Sequence, residues 1–177
     1  MRWIGLFFLL SACTGEAEAA AVREPTPAVG DAPLRVVVVS DLNGAYGETR
    51  YSDPVHAAVV RVIELRPDLV LSTGDMVAGQ RRGLDYAAMW SGFHAAVTEP
   101  FAAAGIRFAI TPGNHDGSGY PAFGPERREF VEQWAERAPD VAFVDRSGWP
   151  LRYSFTLGPA LFVSLDATTL GPLDEPQ

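Results

Sequence analysis

Polar side chains of the kinds that bind metal ions or transfer protons stand just after three short apolar runs of the chain. The runs and the polar residues behind them are residues 34–40 with Asp41, residues 68–72 with Asp75, and residues 106–111 with Asn114 and His115. Two divalent ions suit phosphoryl transfer, because the ions clamp phosphate oxygens, neutralise developing charge and lower the pKa of an attacking water molecule. Such a site needs hard oxygen ligands and usually a carboxylate that can bridge both ions.

The sequence around these residues predicts alternating strands and helices. The run at residues 34–40 contains four valines, and all three runs are typical of short strands buried inside a sheet. Ser52-Asp53-Pro54, a capping residue followed by proline in the first turn, predicts a helix that ends at about Arg66. A further helix is predicted to begin at Pro125. Another is predicted to end near Pro100, and its apolar positions at helical spacing are Tyr86, Met89, Trp90, Phe93 and Val97.

Three more strands are predicted at residues 141–144, 151–157 and 161–165, with the last two joined as a hairpin around Gly158-Pro159. This order of elements predicts an α/β fold whose first strands are parallel. Parallel strands point their carboxyl ends the same way, and ligands bind at that edge in open α/β sheets. We therefore expect the three polar loops to converge on one edge of the sheet.

Short motifs in these loops are specific when they occur together. Gly74-Asp75 and Gly113-Asn114-His115-Asp116 resemble the second and third signature blocks of the calcineurin-like metallophosphoesterases, and Asp41 matches the aspartate of the first block. The resemblance covers about residues 34–166, the N-terminal half of that family's domain. It implies an α/β fold that forms part of a four-layer α/β/β/α sandwich with parallel N-terminal strands. It also implies phosphoester hydrolysis by water activated at two divalent metal ions, which can be manganese, iron, zinc or magnesium.

The resemblance assigns a role to each matching residue. It implies that Asp41 binds the first metal ion, that Asp75 bridges both ions, and that Asn114 binds the second ion through its amide oxygen. By the same resemblance, His115 is a general acid towards the leaving alkoxide and not a metal ligand. Gly74 and Gly113, the first residues of the second and third blocks, let the backbone turn sharply enough to present the next side chain to the ions.

The chain departs from the family pattern in two places. The first block of the family is Asp, any residue, His, whereas this chain has Asp41-Leu42-Asn43. Asn43 offers a neutral oxygen but no imidazole nitrogen, which favours harder ions such as manganese or magnesium at the first site. The Gly-His-any-His block that supplies further metal ligands in the family does not occur in this sequence. We interpret the remaining histidines, His56 and His94, as ordinary helix residues.

Other polar residues have a structural and a functional interpretation. Asp166 follows a predicted strand, and it either approaches the site or serves as a capping or solvated residue. The loop after the first strand contains three residues that either contact substrate or pack the loop: Arg50, Tyr46 and Tyr51. The pair Arg81-Arg82 has two interpretations as well, as a binding site for a substrate phosphate or as an exposed basic pair. We favour the structural interpretation for the loop residues and the arginine pair, and leave both open for Asp166.

The N-terminus resembles a bacterial lipoprotein signal peptide: Arg2, the apolar run of residues 3–10, and then small residues. The run is shorter than the ~20 apolar residues that a membrane-spanning helix needs. Leu10-Ser11-Ala12-Cys13 resembles a lipobox, and Cys13 is the only cysteine, so we expect it to be lipidated. The alternative is an ordinary signal peptide with an incidental cysteine. The expected organisation is a signal peptide (1–12), the lipidated Cys13 with a flexible tether (13–33), and the N-terminal part of a phosphoesterase domain (34–177).

The net charge restricts the partners. The formal charge is −8, all 14 basic residues are arginine, and no basic stripe with interleaved aromatic residues is present. Because an acidic surface repels phosphate backbones, we expect no nucleic-acid partner. The acidic charge does not exclude a small phosphoester as substrate when bound cations lie between its phosphate group and the carboxylates. We expect the protein in the bacterial cell envelope, lipid-anchored at the outer membrane or the periplasmic face in a two-membrane cell.

Two main functions follow from these observations. The first is a metal-dependent phosphoesterase. The second is a catalytically impaired envelope lipoprotein that acts as a binding module. Asn43 and the missing histidine block are the observations that favour it. A structural α/β lipoprotein that binds no metal is a remote third. Since residues 172–177 contain no closing helix or strand, we also expect a truncated domain that lacks its C-terminal part and is poorly active and marginally stable.

Overall fold

A computed structural model describes residues 33–168 of the chain. The expectations for the signal peptide, for Cys13, for the tether up to residue 32 and for residues 172–177 lie outside the described residues. None of the helices in the described range is long and apolar enough to cross a membrane.

Three parallel strands form the sheet that positions the predicted site. Strands β1 (Val36–Val39), β2 (Leu69–Ser72) and β3 (Arg107–Ile110) lie side by side in that order. The register places Leu71 of the central strand between Val38 and Ala109. The prediction of three parallel strands is confirmed, and their carboxyl ends meet at one edge. The prediction of a strand buried inside the sheet is wrong for β1, which lies at the side of the described sheet and has Val38 60% exposed.

Helix α1 (Asp53–Leu65) connects the first two strands, as predicted. Ser52 precedes it with extended backbone, and Pro54 occupies the first turn, where an N–H has no partner within the helix to lose. Arg66 ends the helix in the left-handed conformation, and its N–H donates to the carbonyl of Ile63. One face of α1 packs against the sheet in the main hydrophobic core.

The next helical segment is irregular and runs past its predicted end. Helix α2 (Tyr86–Phe93) leads into a π-helical turn (His94–Thr98) and then into α3 (Glu99–Ala103). The prediction that this helix ends near Pro100 is wrong, because Pro100 stands in the first turn of α3, where proline is tolerated. In the π-helical turn the N–H of Glu99 donates to the carbonyl of His94, five residues earlier, so the hydrogen-bond ladder shifts just before the proline.

Helix α4 (Gly124–Trp134) follows a 3₁₀ turn (Pro121–Phe123) and confirms the predicted helix at Pro125. It packs against α2 through an aromatic core. The ring of Trp90 lies 5.8 Å from that of Phe130 and 5.9 Å from that of Trp134, centroid to centroid, in edge-on orientations. Such pairs add to the free energy gained by burying large rings.

An antiparallel sheet covers the other face of the parallel sheet. It consists of β4 (Ala142–Asp145), β5 (Tyr153–Leu157) and β6 (Ala160–Ser164), and β5 and β6 turn at Gly158-Pro159 as predicted. The buried hydroxyl of Tyr153 joins the sheets, because it accepts from the N–H of Ile110 (3.0 Å) and donates to the carbonyl of the same residue (2.5 Å). Residues 33–168 thus form a mixed α/β fold in which helices, parallel sheet and antiparallel sheet follow one another.

Candidate metal and catalytic site

The loops after β1 and β2 each hold an aspartate in an unusual backbone conformation. Asp41 has a φ of 53° and Asp75 a φ of 54°, in the left-handed region that residues other than glycine rarely adopt. Hydrogen bonds hold the loops side by side, from the N–H of Asp41 to the carbonyl of Gly74 (3.3 Å) and from the N–H of Asn43 to the carbonyl of Asp75 (3.2 Å). Strained backbone of this kind clusters at functional sites, and here it presents both carboxylates that the family resemblance assigns to metal.

Gly74 and Gly113 bring the loops after β2 and β3 into backbone contact. A Cβ atom on Gly74 would lie 2.4 Å from the Cα of Gly113, and a Cβ atom on Gly113 would lie 2.2 Å from the backbone nitrogen of Asp75. Gly74 also has a φ of +105°. Any larger side chain at either position would push the loops apart, so close approach explains both glycines.

Asp116 binds the same two loops together. It is fully buried, and its carboxylate accepts hydrogen bonds from the N–H groups of Gly113 (2.6 Å) and Met76 (2.7 Å). Burial raises the pKa of Asp116 to about 7, although these two hydrogen bonds act in the opposite direction. Asp116 is the last residue of the Gly113-Asn114-His115-Asp116 motif, and the sequence alone predicts no role for it. Its role in the fold is to fix the position of Asp75 relative to His115.

One cleft of about 330 Å³ gathers most of the predicted site residues. Three of the four predicted metal ligands share it with the predicted general acid, while Asn114 is exposed and is not among the lining residues. The side-chain nitrogen of Asn43 donates to the carbonyl of Val77 (3.4 Å), which ties this side chain to the loop after β2. The cleft is lined by Asp41, Asn43, Gly44, Ala45, Tyr46, Asp75, Ala78 and His115.

Backbone hydrogen bonds hold His115 beside Asp75. Its N–H donates to Oδ1 of Asp75 (3.0 Å), and its carbonyl accepts from the N–H of Gly79 (2.9 Å). Nδ1 of its ring is buried and has no hydrogen-bond partner among residues 33–168. A buried polar nitrogen without a partner is unfavourable, and this one belongs to a residue of the cleft, where a water molecule or a substrate can satisfy it.

Glu126 is a buried carboxylate that sequence analysis missed. Its two oxygens accept hydrogen bonds from the N–H of Gln80 (2.9 and 3.1 Å), and Oε2 also accepts from the hydroxyl of Tyr86 (2.9 Å). Burial raises the pKa of Glu126, and these hydrogen bonds lower it. The contacts fix the loop whose Gly79 supports His115. An acidic residue in the first turn of a helix is common, so nothing local in the sequence marks Glu126 as special.

The donor set of the cleft fits hard divalent cations. Asp41, Asn43 and Asp75 offer carboxylate and amide oxygens, which are the ligands that magnesium and manganese prefer. Within residues 33–168, no three histidine, cysteine, aspartate or glutamate side chains are grouped closely enough to hold a metal ion. The fit therefore rests on two carboxylates and one amide in a single cleft.

Structural contacts account for most of the other polar candidates. Tyr51 donates its hydroxyl hydrogen bond to the carbonyl of Met76 and packs against Phe93. Asp166 is buried and pairs with Arg127. His94 is buried in the aromatic core, and the remaining candidates are exposed and do not line the cleft: His56, Arg50, Arg81 and Arg82.

Comparison with known proteins identifies the family of the chain. No curated protein sequence gives a significant match to the chain. The sequence model of the calcineurin-like phosphoesterase family matches residues 34–164, which is more than half of the chain and includes all three polar loops. The chain therefore belongs to the calcineurin-like phosphoesterase family.

Proposed function

We propose that this protein is a metal-dependent phosphoester hydrolase. The observation that carries the proposal is the single cleft in which Asp41, Asn43, Asp75 and His115 meet, in a chain of the phosphoesterase family. Hard oxygen ligands beside a residue that transfers protons are the components of metal-assisted hydrolysis. The net charge of −8 adds support for a metal requirement, because bare carboxylates repel a phosphate group.

The residues of the cleft divide into ligands and a proton donor. In the proposal, Asp41 and Asn43 would hold one divalent ion, and Asp75 would contribute to both ion sites. Asn114, which is exposed and is not among the residues that line the cleft, would contribute its amide oxygen to the second site. When bound, the ions supply positive charge for the phosphate oxygens and lower the pKa of a water molecule. His115 donates a proton to the oxygen of the leaving group as that group departs.

The hydrogen bonds around the cleft prepare it before substrate arrives. Asp116 joins the loops that carry Asp75 and His115, and Glu126 holds the loop that supports the carbonyl of His115. These contacts fix the loops that carry Asp75 and His115 relative to each other, which limits the reorganisation that binding a phosphoester would require.

A second candidate function is ligand binding without turnover on the same fold. It is favoured by Asn43, which stands where the family has a histidine. It is also favoured by the small number of acidic and imidazole groups that the described residues bring to the cleft. A divalent ion wants about six oxygen or nitrogen contacts, so a sparse protein shell binds it weakly and leaves most positions to water.

Phosphate release from small phosphomonoesters distinguishes the two functions. The purified protein is assayed with manganese, with magnesium and with a chelator, alongside His115→Ala and the control His56→Ala, which changes an exposed histidine of α1. We expect metal-dependent release, a loss of about 10²–10⁴-fold in His115→Ala, and no change in His56→Ala. Metal-dependent binding of the ester without release would support the binding module and contradict the hydrolase.

We also propose that the protein is anchored in the bacterial cell envelope by a lipid on Cys13, and that it acts on small phosphoesters there and not on nucleic acid. The apolar run before Leu10-Ser11-Ala12-Cys13 and the acidic net charge support this proposal. Fatty-acid labelling of cells that make the wild type or Cys13→Ala tests the anchor. Label in the wild type alone is expected, and equal labelling of both proteins, or of neither, would contradict it.

The four-layer arrangement of the family is proposed as well, with a further helical layer on the outer face of the antiparallel sheet. Its support is that Val144, Leu161 and Val163 are exposed on β4 and β6 although they are apolar. A crystal structure of the protein in which no helix contacts that face would contradict this arrangement.

A further inference from the structure

Tyr46 is a large aromatic residue that the fold leaves exposed inside the candidate cleft. Its side chain is 54% exposed, and it lines the cleft together with Asp41, Asp75 and His115. The other tyrosine of the same loop, Tyr51, is packed against the core and has its hydroxyl hydrogen-bonded. Packing therefore accounts for Tyr51 but not for Tyr46.

The loop that carries Tyr46 is anchored on both sides of this residue. On one side the N–H of Ala45 donates to Oε2 of Glu48 (2.8 Å), and the N–H of Glu48 returns a hydrogen bond to the carbonyl of Ala45 (3.0 Å). On the other side the N–H of Gly47 donates to the carbonyl of Ala78 (3.2 Å) in the loop after β2. A Cβ atom on Gly47 would lie 2.9 Å from Leu84, so the turn also packs closely. The Tyr46 ring is therefore presented from a fixed backbone.

The ring of Tyr46 stands next to the imidazole of the proposed general acid. The centroids of the Tyr46 and His115 rings are 5.6 Å apart, and the rings are tilted by 46°. Because His115 donates its proton to the leaving oxygen, the leaving group must lie beside His115 and therefore within reach of Tyr46. A planar group bonded directly to that oxygen comes within the ~4.5–7 Å centroid separation at which aromatic rings attract each other.

We propose that Tyr46 is a specificity-determining residue and that the preferred substrates are aryl phosphoesters, in which the aromatic ring is attached to the bridging oxygen. This inference rests on the proposed hydrolase function. A water oxygen forms the new bond to phosphorus, and the bond between phosphorus and the bridging oxygen breaks with its electron pair going to that oxygen. The oxygen takes the proton of His115, the proton lost by water restores the imidazole through solvent, and the products are a phenol and phosphate. In a nucleotide the base is joined through a sugar and lies several bonds from the bridging oxygen. Tyr46 therefore stabilises the binding of nucleotides less than that of aryl phosphoesters.

Phenyl phosphate and cyclohexyl phosphate test the proposal, because their leaving groups have similar size but differ in planarity. The leaving groups also differ in basicity, and this difference is the same for every variant that is compared. The measured quantity is the ratio of the kcat/KM values of the two substrates in the wild type, Tyr46→Leu, Tyr46→Phe and Tyr120→Leu. Tyr120 is a matched control, because it is 53% exposed and does not line the cleft. We expect the ratio to fall about 3- to 10-fold in Tyr46→Leu and to stay constant in Tyr46→Phe and Tyr120→Leu.

Binding of phenylphosphonate and cyclohexylphosphonate, measured by titration calorimetry with manganese present, provides a readout that needs no turnover. Tyr46→Leu should lose affinity for the phenyl compound by a similar factor and keep its affinity for the cyclohexyl compound. Equal losses for both compounds, or no change, would overturn the role of Tyr46 while leaving the hydrolase proposal in place. A wild-type protein that neither binds a phosphonate nor hydrolyses a phosphate ester would overturn both.

Discussion

Replacing Gly74 with alanine should destabilise the protein more than most glycine-to-alanine changes. Gly74 has a φ of +105°, and its new Cβ would lie 2.4 Å from the Cα of Gly113, a backbone atom that has no flexible side chain to move aside. Backbone strain of this kind costs about 1–3 kcal/mol, and overpacking costs about 1–3 kcal/mol. We therefore expect the free energy of unfolding to fall by about 2–6 kcal/mol, a large part of the ~5–15 kcal/mol that keeps a domain folded.

Two other glycine variants separate these contributions. Gly105→Ala has backbone strain alone, because its φ is +70° and no atom lies within 4 Å of the new Cβ, so it should cost about 1–2 kcal/mol. Gly113→Ala has the clash alone, because its Cβ would lie 2.2 Å from the nitrogen and Oδ1 of Asp75, so it should cost about 1–3 kcal/mol.

Urea unfolding followed by circular dichroism gives the free energy of unfolding of each variant at constant slope. We expect the loss in Gly74→Ala to exceed that in Gly105→Ala by at least about 1 kcal/mol. If Gly74→Ala does not fold, Gly113→Ala still reports on the contact between the loops. Losses in both loop variants no larger than that in Gly105→Ala would refute the backbone contact that brings Asp75 to His115.

Two predictions concern the core. Burial, with the charge of Arg137 adding to it, lowers the pKa of His94 to about 4, and the residue is 3% exposed. The unfolded chain binds a proton on this histidine below about pH 6.5, whereas the folded chain does not until about pH 4, so stability is lost as the pH falls through this window. Urea unfolding is compared with that of His94→Gln, whose side chain does not titrate in this range. Between pH 7 and 4.5 the free energy of unfolding of the wild type should fall by about 2–3 kcal/mol relative to that of the variant. A difference between the two proteins that does not change with pH would contradict the assignment. Tyr153→Phe should lower the free energy of unfolding by about 1–3 kcal/mol in the same assay, because the N–H and carbonyl of Ile110 lose a buried hydrogen-bond partner. A loss no larger than that in the exposed control Tyr120→Phe would contradict this prediction.

Local signals in the sequence were sufficient for most of the helices and strands. Ser52-Asp53-Pro54 predicts the start of α1 because capping and proline act within one turn, and Gly158-Pro159 predicts the hairpin because a turn is equally local. The end of the helix predicted near Pro100 is wrong, because the effect of this proline depends on the helical structure around it. Its position in the first turn of α3, directly after a π-helical turn, is not indicated by the proline itself.

The convergence of the site residues was predictable, but the contacts that support them were not. Parallel strands bring their carboxyl ends together, so Asp41 and Asp75 were expected to meet once the strands were identified. Asp116 and Glu126 bond to N–H groups 40 and 46 residues away in the chain, and a single sequence carries no signal for such pairings. The sequence favours loop packing for Tyr46, and this prediction is wrong because the exposure of Tyr46 in the cleft depends on how its loop is anchored to a distant one.

Manganese binding tests the central claim most directly, namely that the cleft of Asp41, Asn43, Asp75 and His115 is the metal site of a phosphoester hydrolase. Titration calorimetry is performed on the wild type, Asp75→Asn, His115→Ala and the control Asp140→Asn, which removes an exposed carboxylate outside the cleft. We predict that Asp75→Asn loses most of the bound manganese, because in the proposal this carboxylate would contribute to both ion sites, and that the other two variants bind as the wild type does. Loss of manganese in His115→Ala together with unchanged binding in Asp75→Asn would contradict the account.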